Sequence, residues 1–140
     1  MGAALLAFLP VINGLSHNAW GVASMKPVQA ATNAATPSMQ VKAGQAVYLR
    51  ECARCHGPID GEGISAPTLI GSEEAKRLAS FQTAAALFTF IRFAMPQDKP
   101  GSLPEEDYWA VLAFVLARNG FVEEGFALEP AAAEGLLLRR

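Results

Sequence analysis

The distribution of apolar and polar residues predicts helices separated by loops. Residues 40–53 place apolar side chains among charged ones without a proline, which predicts a helix that begins near Ser38. Residues 72–79 begin with a serine and two glutamates and predict a short helix, and residues 84–93 predict another that Thr83 caps. No run of alternating polarity indicates a strand. The pattern therefore predicts an all-α chain with three to five short helices.

The most apolar helix is predicted near the end of the chain. Ser102 and Glu105 have the spacing of a capping box with Pro104 in the first turn, and Gly120 is a suitable C-terminal stop. The stretch from Trp109 to Ala117 is apolar throughout. Because this stretch is too short to span a bilayer, we expect a helix that is buried on nearly all sides.

Glycine and proline mark the connections between the predicted helices. Residues 57–71 and 96–102 are rich in both and are predicted to be loops. Gly44 lies inside the first predicted helix, where glycine costs about 1 kcal/mol relative to alanine. We interpret Gly44 as a point where another backbone approaches the helix closely.

Residues 1–30 are predicted to be a targeting segment and linker. The apolar run at 3–12 has the length of the apolar region of a secretory signal and is too short to cross a bilayer. Ala23 and Ala30 end sequences that resemble cleavage sites, although no basic residue precedes Lys26. The alternative is a buried N-terminal helix.

Composition narrows the class of protein. The 140 residues suffice for one domain, and 51% hydrophobic with 17% charged residues is not the composition of a disordered chain. A balance of 11 Lys+Arg against 13 Asp+Glu provides no basic face for nucleic acid. No uninterrupted run of about 18 apolar residues exists, so we predict no membrane span in the mature chain.

The two cysteines of the chain form a motif that carries chemistry. Cys52 and Cys55 lie three residues apart and His56 follows, which is the attachment pattern for c-type haem. Thiols at positions i and i+3 of a helix project to the same side, so both can bond to the vinyl groups along one edge of a haem. His56 is then placed to coordinate the iron.

Three other uses of the cysteine pair are less consistent with the sequence. A thioredoxin-like pair follows a strand and precedes a helix, whereas a predicted helix precedes Cys52 here. A structural zinc site needs four ligands, and the only other histidine, His17, lies in the predicted targeting segment. A disulfide between Cys52 and Cys55 would be strained and would leave His56 without a role.

Met95 is the candidate for the second axial ligand. It is the only methionine after the haem motif, and it begins the predicted loop at Pro96. His17 lies outside the predicted fold, which disfavours ligation by two histidines. Ligation by His56 and Met95 would raise the reduction potential and fill both axial positions. The alternative is that Met95 is a core residue.

Besides the haem motif at residues 52–56, the chain contains the sequences Gly44-x-x-x-Tyr48 and Pro67-Thr-Leu-Ile-Gly71 and an aromatic-rich last helix. Together these features make residues 38–121 resemble class I bacterial c-type cytochromes. The resemblance is to single-haem, His/Met-ligated proteins similar to the cytochrome partners of periplasmic quinoprotein dehydrogenases. It implies the cytochrome c fold, all-α, with three to five short helices around one covalently attached haem c.

The resemblance also implies roles for individual residues. Gly44 would pack against an aromatic residue of the last helix, either Phe114, Tyr108 or Trp109. The carbonyl of Pro67 would accept a hydrogen bond from Nδ1 of His56. Leu69 would line the haem pocket, together with Ile70.

The implied function is electron transfer rather than catalysis. The protein would be periplasmic or otherwise exported and would carry one electron between a periplasmic dehydrogenase or respiratory complex and an acceptor such as a terminal oxidase. One alternative is a dedicated haem subunit of a single dehydrogenase complex. Another is a gas-binding or sensory haem protein, if Met95 is not a ligand.

Charged and apolar residues outside the motif leave two questions open. Residues 122–140 form a C-terminal tail that is too apolar to be fully solvated. The tail wraps over the haem domain, docks on a partner through residues 136–140, or is a partly ordered terminus. Arg50, Arg54 and Arg92 are candidates for contacts with haem carboxylates or a docking rim, although exposed surface charge is the simpler interpretation.

Overall fold

The computed structural model describes residues 38–139. The targeting segment predicted for residues 1–30 lies outside this range, as do His17 and Arg140. The described residues are helical and contain no strand, which confirms the predicted all-α class. The helices are α1 (Met39–Val47), α2 (Ala53–His56), α3 (Ser72–Ala79), α4 (Ala84–Ala94), α5 (Glu105–Arg118) and α6 (Pro130–Gly135).

The first helix is longer than the sequence predicts. Ser38 caps it, with its side-chain oxygen accepting the N–H of Val41 at 3.1 Å. A π-helical turn (Tyr48–Cys52) joins α1 to α2 without a break, so the helix runs through the haem motif to His56. It ends at Gly57, whose φ of 81° favours glycine. The two cysteines and the histidine therefore lie on the last turns of one helix.

α1 crosses α5 at Gly44. A Cβ atom on Gly44 would lie 1.9 Å from the carbonyl oxygen of Ala110 and 2.8 Å from Cβ of Phe114. The predicted close approach is confirmed, and the backbone at Ala110 is its nearest partner. The Phe114 ring packs against Tyr48, with their centroids 5.6 Å apart.

The predicted capping box of α5 is wrong. The helix begins at Glu105 with Pro104 at the N-cap, and no side chain caps it. Proline disfavours helical backbone in the residue before it, so Leu103 cannot serve as the first helical residue after Ser102. The carbonyl of Pro104 accepts the N–H groups of Asp107 and Tyr108, at 3.1 and 3.3 Å.

The remainder of α5 follows the prediction. Its side chains are buried from Tyr108 through Leu116 except for Trp109, which is partly buried. Gly120 follows the helix with a φ of 70°, and the N–H of Phe121 reaches back to the carbonyl of Leu116 at 2.9 Å. None of the helices within 38–139 is both long and apolar enough to cross a membrane.

The tail packs on the helical core. The side-chain amide of Gln40 bonds both backbone groups of Leu128, at 2.8 and 2.7 Å. The N–H of Leu138 donates to Gln82 at 2.8 Å, close to the start of α4. Leu128, Ala133 and Leu138 are buried. The structure therefore shows the tail wrapped back over the domain, which is one of the predicted arrangements.

Candidate haem-binding site

Helices and loops within residues 38–139 line a cavity of about 720 Å³, within the size range of cofactor sites. Its walls include six of the predicted site residues: Cys52, Cys55, His56, Pro67, Leu69 and Met95. Ile70, which was also predicted to line the pocket, instead packs against the hydrophobic core. Apolar side chains from α4 and α5 complete much of the lining, among them Leu87, Ile91, Val111, Leu112 and Val115. The cavity therefore brings two thiols, an imidazole and a thioether together on mostly apolar walls.

The two thiols lie on the last turns of the helix that ends at His56. Both cysteines are free and partly buried. Burial raises the pKa of Cys52 to about 11, and the negative charge of Glu51 acts in the same direction. The Cys52 sulfur is therefore a protonated thiol at neutral pH.

His56 is oriented by the loop that follows it. Its Nδ1 atom lies 2.6 Å from the carbonyl oxygen of Pro67. A carbonyl only accepts hydrogen bonds, so Nδ1 must carry the proton. This leaves Nε2 as the ring nitrogen available to a metal, and such a hydrogen bond makes a histidine a more basic ligand.

Residues 57–66 return to the haem motif through a tight turn. The N–H groups of residues 64–66 all donate to the carbonyl of Cys55, at 3.0 to 3.1 Å. A Cβ atom on Gly63 would lie 1.9 Å from the carbonyl oxygen of Ala66, so this fold needs glycine. The turn brings Pro67 back to His56. In the sequence, only the abundance of glycine indicates this turn.

Asn119 is a functional residue that sequence analysis missed. It is buried at the end of α5, where its Nδ2 donates to the carbonyl of Leu69 at 2.8 Å. Its Oδ1 accepts the N–H of Gly71 at 3.1 Å. These bonds fix the segment that places Pro67 and Leu69 on the cavity wall. A lone asparagine before a glycine indicates only a helix end, so the sequence contained no signal for this role.

Tyr48 fixes the other side of the same loop. It is fully buried, and its hydroxyl donates to the carbonyl of Gly57 at 2.9 Å. Burial raises the pKa of Tyr48, and the nearby Cys52 adds to the shift. The tyrosine thereby attaches the residue after His56 to the core.

Met95 reaches the cavity from the end of α4. Its N–H donates to Ile91 at 3.0 Å, as the last bond of the helix. Its carbonyl accepts the hydroxyl hydrogen of Tyr108 at 2.8 Å. Met95 and His56 therefore approach one cavity from two different helices.

Ion pairs join the cysteine-bearing helix to the loop after Met95. Arg54 pairs with Asp98, and Lys99 pairs with Glu51 at 2.7 Å; we call these four residues the clasp. The hydrogen bond from Lys99, followed by that from Arg50, lowers the pKa of Glu51. The hydrogen bond from Arg54 lowers the pKa of Asp98.

All three arginines singled out in the sequence have carboxylate partners. Arg50 pairs with Asp107 at 2.9 Å, and Arg92 pairs with Glu105 at 2.8 Å, while Arg54 belongs to the clasp. The three arginine side chains are 39% to 56% exposed, so these contacts are ion pairs on the surface of the fold.

The lining is suited to haem. Two thiols, an imidazole and a thioether form the donor set of a covalently attached haem with two axial ligands. Thr68 Oγ1, on the same wall, is buried without a hydrogen-bond partner in the described part of the chain. A cofactor with polar substituents on an apolar ring could supply that partner.

Comparisons with known proteins identify the family of the chain. Residues 39–115 match the family described as cytochrome C oxidase, cbb3-type, subunit III. A thiosulfate dehydrogenase from Stutzerimonas stutzeri is 35% identical over 78 residues, which cover 51% of this chain and 25% of that protein. The chain thus spans about a quarter of that relative.

A solved structure shows the same fold. The sulfane dehydrogenase SoxCD from Paracoccus pantotrophus contains a chain that aligns with a TM-score of 0.58 and 27% identity. The alignment covers 69% of this chain and 52% of that one. The family match extends over more than half of the sequence and includes the cysteine motif, α4 and most of α5. The protein therefore belongs to this cytochrome c family and is a class I bacterial c-type cytochrome, for which the cofactor is haem c.

Proposed function

We propose that the protein transfers single electrons through one haem c bound at Cys52, Cys55 and His56, with Met95 as the second axial ligand. The observation that carries the proposal is the meeting of His56 and Met95 at one apolar cavity that also holds both thiols. Bound haem would supply an iron that alternates between Fe(III) and Fe(II).

The residues of the chain divide the work of holding and tuning the cofactor. Each cysteine sulfur would bond to one vinyl carbon of the haem while its hydrogen would go to the adjacent carbon, so attachment would consume no oxidant. The Pro67 carbonyl holds the His56 ring, and Leu69 helps to exclude water. As a ligand, the Met95 sulfur would favour Fe(II) and would thereby raise the reduction potential. If His56 and Met95 both bind the iron, no iron position would remain for a substrate, so we propose an electron carrier rather than an enzyme.

The cellular role follows from where such chemistry takes place. We infer an exported, periplasmic protein that moves electrons between a dehydrogenase or respiratory complex and an acceptor such as a terminal oxidase. The paired charges around the loop after Met95, including Arg54 and Lys99, leave no strongly basic docking face there. A partner would therefore dock mainly through shape and apolar contact.

A second candidate is a haem subunit within one dehydrogenase complex. The two relatives named above are both called dehydrogenases, of thiosulfate and of sulfane sulfur, and this chain spans only part of each. Size-exclusion chromatography of the native protein, detected by haem absorbance, separates the two roles. A carrier elutes as a small protein, whereas a subunit elutes with its complex.

Optical spectra test the ligand assignment. We expect the oxidised holoprotein to show the weak far-red band of sulfur-ligated haem, and the reduced protein to remain unchanged under carbon monoxide. Met95→Ala should abolish the band and allow carbon monoxide to bind. Met39→Ala is the matched control, because Met39 is 82% exposed on α1. A wild-type protein that lacks the band and binds carbon monoxide would instead be a gas-binding or sensory protein.

A further inference from the structure

The backbone of Met95 is held by two helices rather than one. Its N–H completes α4, but its carbonyl lies outside the helical hydrogen-bond pattern because the next residue is Pro96. The N–H of Lys99 bonds Pro96 at 2.9 Å and does not reach Met95. The carbonyl of Met95 is bonded by the hydroxyl of Tyr108 at 2.8 Å.

Tyr108 is well suited to act as an anchor. Only 2% of it is exposed, and it lies in α5, the helix that packs against α1 at Gly44. A hydroxyl can donate and accept at once. While it donates to Met95, it accepts the N–H of Leu103 at 3.4 Å, and so contacts both ends of residues 95–103, the Met95 loop.

We propose that Tyr108 is a positioning residue that keeps the sulfur of Met95 available as an axial ligand by fixing its main-chain carbonyl. The proposal rests on the ligation proposed above. Methionine has three rotatable side-chain bonds, so holding its backbone removes much of the conformational freedom that would separate the sulfur from the iron. Without the Tyr108 hydroxyl, the Met95 carbonyl loses its hydrogen-bond donor, and the Met95 loop spends more time withdrawn from the iron.

Competition by imidazole measures how often the loop withdraws. Imidazole binds the oxidised iron only when Met95 has left, so its apparent affinity rises with the population of the withdrawn state. Tyr108→Phe removes only the hydroxyl. We expect roughly tenfold tighter imidazole binding, the size of effect that one lost hydrogen bond produces, and a weaker far-red band.

Tyr48→Phe is the matched control. Tyr48 is also buried, and its hydroxyl also donates to a loop carbonyl, that of Gly57 on the His56 side. Both variants should lose similar thermal stability, whereas only Tyr108→Phe should bind imidazole more tightly. An equal gain in affinity in both variants would mean general loosening of the fold and would overturn the proposal.

A double-variant comparison separates this inference from the proposed function. In a Met95→Ala background no sulfur competes, so adding Tyr108→Phe should leave the imidazole affinity unchanged. Suppose that the wild type shows the far-red band and that Tyr108→Phe binds imidazole with the same affinity as the wild type. Tyr108 then has no positioning role, and the electron-transfer proposal stands. If the wild type lacks the band, the ligation itself fails.

Discussion

At the crossing of α1 and α5, the absence of one side-chain carbon determines how closely two helices can pack. Gly44 lies against the backbone of Ala110, with no room for a Cβ atom. This crossing supports both Tyr48 and Tyr108, which attach the two loops of the haem cavity. A change at one glycine should therefore affect stability and the site together.

We predict that Gly44→Ala destabilises the holoprotein by about 1–3 kcal/mol or more, because the helices must move apart to accept the methyl group. Gly135→Ala is the control, since nothing lies within 4 Å of a Cβ atom there and alanine favours the helix of α6. Denaturant unfolding followed by circular dichroism measures both. Equal stability of the two variants would contradict the packing described for Gly44.

Among the structural elements, the clasp joins the helix that bears the cysteines to the Met95 loop. Its carboxylates, Glu51 and Asp98, have pKa values lowered by their basic partners. A carboxylate with a depressed pKa stabilises the folded arrangement fully above its unfolded pKa and loses this effect as the pH falls through its folded value. The clasp therefore weakens in acid, and salt screens it because three of its side chains, those of Arg54, Asp98 and Lys99, are about half exposed.

We predict that the far-red band of the oxidised protein fades as the pH falls below about 4, and that it fades at higher pH when salt is added. The double variant Glu51→Gln/Asp98→Asn should show a weaker far-red band at neutral pH, and this band should change little further as the pH falls below about 4. Glu106→Gln, at a glutamate that makes no ion pair within residues 38–139, should keep the wild-type profile. A double variant with the wild-type pH profile would show that the clasp does not hold the loop.

For the whole molecule, the tail is part of the folding unit. Leu128, Ala133 and Leu138 fill the core, and the backbone of residues 136–138 pairs with residues 82–84. Removing the tail would expose this apolar surface, so truncation tests folding rather than partner binding. A docking role for the tail must use side chains that remain exposed, such as Leu137.

Two adjacent leucines allow this to be tested. Leu138 is 1% exposed and Leu137 is 48% exposed. We predict that Leu138→Ala lowers the free energy of unfolding by about 2–5 kcal/mol, while Leu137→Ala changes it by about 0.5 kcal/mol or less. Thermal unfolding of the holoproteins distinguishes the two. Similar melting temperatures for both variants would mean that the tail does not pack as described.

Much of the fold could be predicted from local patterns. Polarity and caps located α3, α4 and the end of α5, because a helix and its cap are decided by residues within a few positions of each other. The start of α5 was predicted wrongly for a local reason, since Pro104 excludes a helical residue before it. The short helix α6 was not predicted, because its apolar residues are too few to show a helical period.

The sequence by itself determined which reactive groups the candidate site contains. The covalent chain fixes the spacing of Cys52, Cys55 and His56, and Met95 is the only methionine after them. Both facts hold whatever the rest of the chain does.

Only the tertiary structure decided which residues hold that chemistry in place. Tyr108 lies 13 residues from Met95, and Asn119 lies 50 residues from Leu69. The amide of Gln40 meets the tail across 88 residues. Such partners have no local pattern, because hydroxyl and amide groups bond to whichever backbone the packing of apolar helices brings within about 3 Å.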